Sequence, residues 1–203
     1  VKLAVPHYIK EIVEEMARLA RTSSHVNQAS GVSVRMSIAN LENVVSSAER
    51  RALLTGEKWA IPRISDLAHT AASARGKLEL TMAEDDGQED VLIGRIAGEA
   101  VKNVFSQYAD AKDFRPVIDY FESGKAVELG DGLSSKEVLA RIDRVANLRK
   151  RADELARKLQ PDPTDADARE AAAAGAAEFI LEGLYVHNKL NKAAKAGSAA
   201  YRR

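Results

Sequence analysis

The sequence predicts an all-α protein. Apolar residues recur at three- and four-residue spacing along nearly the whole 203-residue chain. The periodic segments are punctuated by Pro, Gly, Ser and Asn. Strand-like alternation is confined to Ala126-Val127-Glu128-Leu129, which reads as a short strand or as the extended entry to Gly130-Asp131-Gly132.

Pro6 suits the first turn of a helix whose stripe is Ile9, Ile12, Val13, Met16, Leu19 and Ala20. Thr22 to Ser33 reads as a loop, and Ser33 as the N-cap of a second helix. The expected inner face of that helix is Ile38, Leu41, Val45, Ala48 and Ala52, and Gly56 is placed just past its end. Glu49, Arg50 and Arg51 read as its solvated side. Trp59 to Pro62 should be extended. A shorter helix then runs from Ser65-Asp66 through Leu67, Ala71 and Ala74 to Gly76.

The acidic stretch Glu84 to Asp90 reads as a solvated loop or cap and as a domain boundary. It divides the chain into a helical bundle over 1–82 and a helical extension over 83–203. In the extension, Ile93, Ala97, Ala100, Val101, Val104, Phe105 and Tyr108 line one long helix, and Phe114 to Phe121 form a short one. Ser134 and Glu137 make a capping box for the next helix, through Val138, Leu139 and Ile142. The charged stretch Arg149 to Lys158 continues as helix above Leu148, Leu155 and Leu159, until Pro161 and Pro163 break it. A last helix over Asp165 to Asn188 should bury Ala173, Ala177, Ile180, Leu184 and Tyr185. The basic tail from Lys189 should fray.

Composition narrows the function classes. Thirty basic and 30 acidic side chains cancel, so no whole-chain field favours nucleic acid or an anionic membrane. Aromatics at 5% supply no base-stacking platform. Without cysteine there is no disulfide, thiol nucleophile or thiolate metal site. No apolar run approaches the roughly 20 residues that span a bilayer, and no signal-like segment opens the chain. A soluble, cytoplasmic protein is expected, and Val1 in place of Met suggests a fragment of a longer one.

The chain carries neither GxxxxGK[ST] nor GxGxxG, so an ATPase site cannot be built from it alone. His7, His25, His69 and His187 are scattered without metal-ligand spacing, and no metal site is expected. Ser30-Gly31 and Ser123-Gly124 lack the GxSxG turn of a hydrolase nucleophile. The run Arg149 to Lys158 is interrupted by Asp153 and Glu154 and reads as a face laced with ion pairs; nucleic-acid binding there is a weaker option. Arg35 stands apart. It falls in the first turn of a helix, where the dipole disfavours a cation. It is either a solvated surface arginine or a guanidinium kept for an anion at the same helix end.

Taken together, Ser30-Gly-Val-Ser-Val-Arg35, the helix Met36 to Leu54, and Ile61-Pro-Arg-Ile-Ser-Asp-Leu67 resemble the helical lid of an AAA+ ATPase. The likeness is closest to the magnesium chelatase I-subunit and MoxR group and extends over Val5 to about Lys77. Beyond it, Asn103-Val-Phe105, Phe114-Arg-Pro-Val-Ile118, Phe179-Ile-Leu-Glu-Gly-Leu-Tyr185, Leu190-Asn-Lys192 and Tyr201-Arg202 resemble the C-terminal extension of bacterial chelatase-I-like proteins. The resemblance implies that Arg35 is the sensor-2 residue, contacting the γ-phosphate and serving both catalysis and nucleotide binding. It implies ATP and Mg2+ in a full-length parent and neither in this fragment alone. It also implies contacts with the parent's AAA+ core, with neighbouring protomers of a ring oligomer and with a co-encoded protein partner, but none with nucleic acid or membrane. The departure from the family is that the αβ core carrying the nucleotide-binding loop, the acidic magnesium-coordinating strand end and the first sensor is missing from this sequence. The competing expectation is a non-enzymatic helical module that docks a partner in a groove between its two halves.

Overall fold

In a computed structural model of the chain, residues 1–26, 34–74, 86–159, 165–195 and 197–203 are described. The first half runs β1 (Lys2–Leu3), α1 (His7–Thr22), α2 (Val34–Thr55), β2 (Trp59–Ala60), a 3-10 helix (Ile64–His69) and α3 (Thr70–Ala74). The second runs α4 (Asp86–Tyr108), a 3-10 turn (Ala111–Phe114), α5 (Arg115–Glu122), β3 (Val127–Gly130), α6 (Ser135–Ile142), α7 (Leu148–Leu159), α8 (Ala166–Val186), β4 (Asn191–Lys195) and β5 (Ser198–Arg202). The fold is mostly helical, as expected, but it also carries strands.

β1 pairs in parallel with β2, matching Lys2 to Trp59 and Leu3 to Ala60. The C-terminal strands form an antiparallel sheet in the order β3-β5-β4. Val127 faces Tyr201 across one ladder and Lys192 faces Tyr201 across the other. The tail expected to fray is therefore a paired hairpin. Gly197, at φ 73°, turns the chain between its strands, and Tyr201 is buried against α8.

α8 is the central element, packed by α7, α6 and α4. Every residue from Ala171 to Leu184 is buried, instead of the single face the spacing suggested. A helix buried on every side, here with Glu178 and Glu182 among its mostly apolar residues, belongs in the middle of a domain. Its small residues let neighbours approach closely: a Cβ on Gly183 would lie 2.3 Å from the Phe105 ring. Tyr185, expected inside, is 37% exposed because it sits at the helix end. One continuous core joins both halves of the sequence, and Tyr8 of α1 stacks on Phe179 of α8 at 4.5 Å.

α2 differs more. Its buried side is Met36, Asn40, Val44, Ser47, Ala48, Arg51 and Ala52, while Ile38 is 53% exposed and Leu41 and Val45 are half-buried. Ala48 and Ala52 pack on Ala60 as a small separate cluster. The helix is rotated so that polar groups reach partners in the 61–66 segment. Arg51, expected in solvent, is thus an interior residue.

Pro6, expected in the first turn, precedes α1 in extended conformation, while the local signals at Gly56, Ser134 and Glu137 were obeyed. Gly56 takes φ 72° after α2. The Ser134 hydroxyl accepts from the Glu137 N–H, and the Glu137 carboxylate accepts from the Ser134 N–H at 2.8 Å. The helix expected to continue into Arg149–Lys158 is interrupted between α6 and α7, where Asn147 takes φ 61°. Of the acidic stretch read as a loop or cap, Asp86 to Asp90 form the first turns of α4. Glu84, Asp85, Ser33 and Gly76 lie outside the described residues.

Candidate functional site

Arg35 lies in the first turn of α2 with an exposed side chain. The preceding Gly31-Val32-Ser33 is outside the described residues.

What the fold brings together is a buried polar cluster on which the sequence placed no function. Its centre is Asp66, fully buried in the 3-10 helix after Pro62. Oδ1 accepts from the Arg51 guanidinium at 2.5 Å and from the Ser47 hydroxyl at 2.7 Å, while Oδ2 accepts from the Arg63 N–H at 2.7 Å. Arg51 also donates to the Ile61 carbonyl at 2.8 Å. Burial pulls the Arg51 pKa down, but the charge and hydrogen bond of Asp66 outweigh it and hold the guanidinium above its ordinary range. This joint fixes α2 to the segment that follows β2.

A second joint fixes that segment to α8. Arg63, 1% exposed, donates to the Leu133 carbonyl at 2.6 Å and sits with Nε 3.4 Å from Glu178 Oε1. The Ser65 N–H donates to Glu178 Oε2 at 2.9 Å. Here the pairing is incomplete: Arg63 Nε and Nη1, Glu178 Oε1, Ser65 Oγ and Tyr8 Oη are buried without a hydrogen-bond partner. Desolvation lowers the Arg63 pKa, with Glu178 opposing it. Burial, followed by the Glu178 charge, pushes the Tyr8 phenol up.

Glu178 also lines a cleft of about 700 Å³. The 3-10 helix and α3 form one wall and α4 the other, α8 is the floor, and the β3-β5-β4 sheet closes one end. One turn along α8, Glu182 accepts both from Lys192 Nζ, at 2.8 and 2.9 Å, and from the Tyr201 hydroxyl at 2.6 Å. Burial and then Glu182 raise the Tyr201 pKa well above the ordinary phenol value. Lys192 Nζ lies 5.5 Å from the Tyr185 ring centroid and 5.8 Å from that of Tyr201.

The remaining candidates have ordinary structural settings. His69 Nε2 meets Asp131 at 3.2 Å, and His187 meets the Gly183 carbonyl at 2.8 Å. Among the described residues no group of three or more His, Asp or Glu side chains could hold a metal ion. Arg149 pairs with Asp143 and Asp153, and Arg151 with Glu154, as the charge pattern of that helix implied. No helix among the described residues is long and apolar enough to cross a membrane.

No protein-family model, curated protein or solved structure matches the chain.

One signal for the buried cluster was present in the sequence. Asn40, Ser47 and Arg51 lie seven and four residues apart, on one helical face. The apolar stripe beside them is the stronger pattern and masks it.

Proposed function

We propose that this chain supplies the sensor-2 lid and helical extension of an AAA+ ATPase of the magnesium chelatase I-subunit or MoxR type, acting in ATP-driven remodelling of a partner or in metal loading. The observation that carries the reading is Arg35: it closes the Gly31-Val-Ser-Val-Arg35 run and stands exposed where α2 opens. Arg51 and Asp66 anchor the far end of the same helix, giving the guanidinium a rigid support.

In the parent, Arg35 donates to the γ-phosphate and stabilises charge on the transferring phosphoryl group. The ATP and Mg2+ belong to the parent's core, because Arg35 alone offers hydrogen bonds to a phosphate without a phosphate-binding loop to hold it. Movement of α2 then couples lid position to nucleotide state.

The test is Arg35→Ala in the full-length protein. Turnover at saturating ATP should fall about 100-fold, with the circular dichroism spectrum unchanged. Unchanged turnover overturns the sensor assignment. A genomic reading frame lacking an in-frame GxxxxGK[ST] upstream of Val1 overturns the whole reading.

A further inference from the structure

We propose that the free edge of β4 receives an extended acidic segment of a partner protein, added to the β3-β5-β4 sheet as a fourth strand. The inference stands on the C-terminal hairpin and does not depend on the lid reading.

The register shows which backbone groups that edge presents. The Asp131 N–H donates to the Gly197 carbonyl at 3.0 Å, so Gly197, Ala199 and Tyr201 turn their backbone groups towards β3. Ser198, Ala200 and Arg202 turn theirs towards their β4 partners Lys195, Ala193 and Asn191. Lys192 and Ala194 are left with N–H and C=O pointing away from the sheet.

The two edges of the sheet differ. On the β3 side, the Glu128 carbonyl accepts from Arg141 at 2.7 Å, and the Gly130 carbonyl accepts from the Leu133 N–H at 3.3 Å. On the β4 side, no backbone group among the described residues bonds the outward groups of Lys192 and Ala194. Ala193, Ala194 and Lys195 are exposed, and the two alanines leave no bulky side chain of their own over the edge. N–H and C=O groups that repeat at strand spacing are matched by another polypeptide strand, not by a nucleic acid or a membrane.

Charge selects which polypeptide. From Lys189 to Arg203 the chain carries Lys189, Lys192, Lys195, Arg202 and Arg203 and no Asp or Glu. Glu182 holds Lys192 and Glu122 meets Arg203, whereas Lys189, Lys195 and Arg202 meet no carboxylate among the described residues. A second copy of β4 would set lysines against lysines, which disfavours self-pairing. An acidic strand gains at the same positions. Lys192 and Tyr201 share the face turned to α8, so Asn191, Ala193 and Lys195 lie on the solvent face. Carboxylates at alternate positions of the incoming strand meet Lys195 there, with apolar residues between them on the α8 side.

The test is an NMR titration of the whole chain, with amide hydrogen exchange, against acetyl-Glu-Val-Glu-Val-Glu-amide and its twin with lysine for each glutamate. The acidic peptide should bind about tenfold more tightly than the basic one. It should slow exchange at the Lys192 and Ala194 amides and leave the Ala193 and Lys195 amides, already bonded to β5, little changed. Ala194→Pro deletes an outward N–H and no bond of the β5 ladder, so it should abolish binding with the hairpin intact. Lys195→Glu leaves every backbone group in place and should remove the preference for the acidic peptide. Where Ala194→Pro disturbs the hairpin, the exchange pattern and Lys195→Glu decide. Equal affinities, no binding, shifts without protection at Lys192 and Ala194, an unchanged preference in Lys195→Glu, or unchanged binding by Ala194→Pro overturn the proposal. So does protection of those two amides in the free protein, whether by a second copy or by another part of the chain.

Discussion

The two interior ion pairs are built to different standards. At Asp66 three donors converge on one carboxylate, and Arg51 spends its remaining reach on the Ile61 carbonyl. At Glu178, a few residues away through Arg63, two guanidinium nitrogens and a carboxylate oxygen are left without hydrogen bonds. Burial costs both pairs heavily, and only complete hydrogen bonding offsets that cost. The difference separates a structural joint from a place with unused bonding capacity.

Asp66→Ala should have the largest effect. It strands Arg51 in the interior and removes the acceptor for Ser47 and the Arg63 N–H, destabilising the fold by about 3–5 kcal/mol in a urea titration. Glu178→Gln keeps the shape and an acceptor for Ser65 but drops the charge facing Arg63. A cost of about 1–3 kcal/mol is expected. If it equalled that of Asp66→Ala, the two joints would be equivalent and the contrast would be lost.

Tyr8→Phe tests the incomplete joint from its other side. Removing a buried hydroxyl without a partner should stabilise the protein by about 1 kcal/mol. It should also change the alkaline limb. A phenol whose pKa is raised on folding keeps its proton in the native state, while the unfolded state loses it above about pH 10. Stability is therefore unchanged below that pH and falls as pH rises through it. Tyr8→Phe should make the fall shallower, and Tyr201 should account for part of what remains. Denaturant midpoints from pH 8 to 11 measure this.

The smallest effect is expected at Ile38→Asp, outside both joints. Ile38 faces solvent, so a change within about 0.5 kcal/mol is expected. A large loss would show that α2 is rotated towards the face its apolar spacing favours.

That rotation shows what local pattern conveys and what it omits. Caps are local chemistry, and Gly56, Ser134 and Glu137 were legible for that reason. The ion-paired face of α7 follows from i,i+3 and i,i+4 spacing within one helix. Burial of Arg51 depends on Asp66, 15 residues on, in a different element. Burial of α8 on all sides depends on three other helices packing around it, which an alanine-rich run cannot announce. The hairpin at Asn191 to Arg202 was missed because a basic, alanine-containing stretch has little strand propensity of its own. Its order comes from β3 and from Glu182, which receives Lys192 and Tyr201. Arg35 itself was legible as a position, and its solvent exposure fits either sequence reading.

The pairing of β3 with β5 bears on synthesis. Val127 emerges from the ribosome 74 residues before its partner Tyr201. Until Ser198–Arg202 arrive, β3 has an open edge and Glu182 lacks its phenolic donor. Pairing over such a separation closes slowly, after the local helices have formed. A ribosome stalled ahead of β5 should therefore hold a helical chain with an exposed strand edge, the form most open to chaperone capture or aggregation.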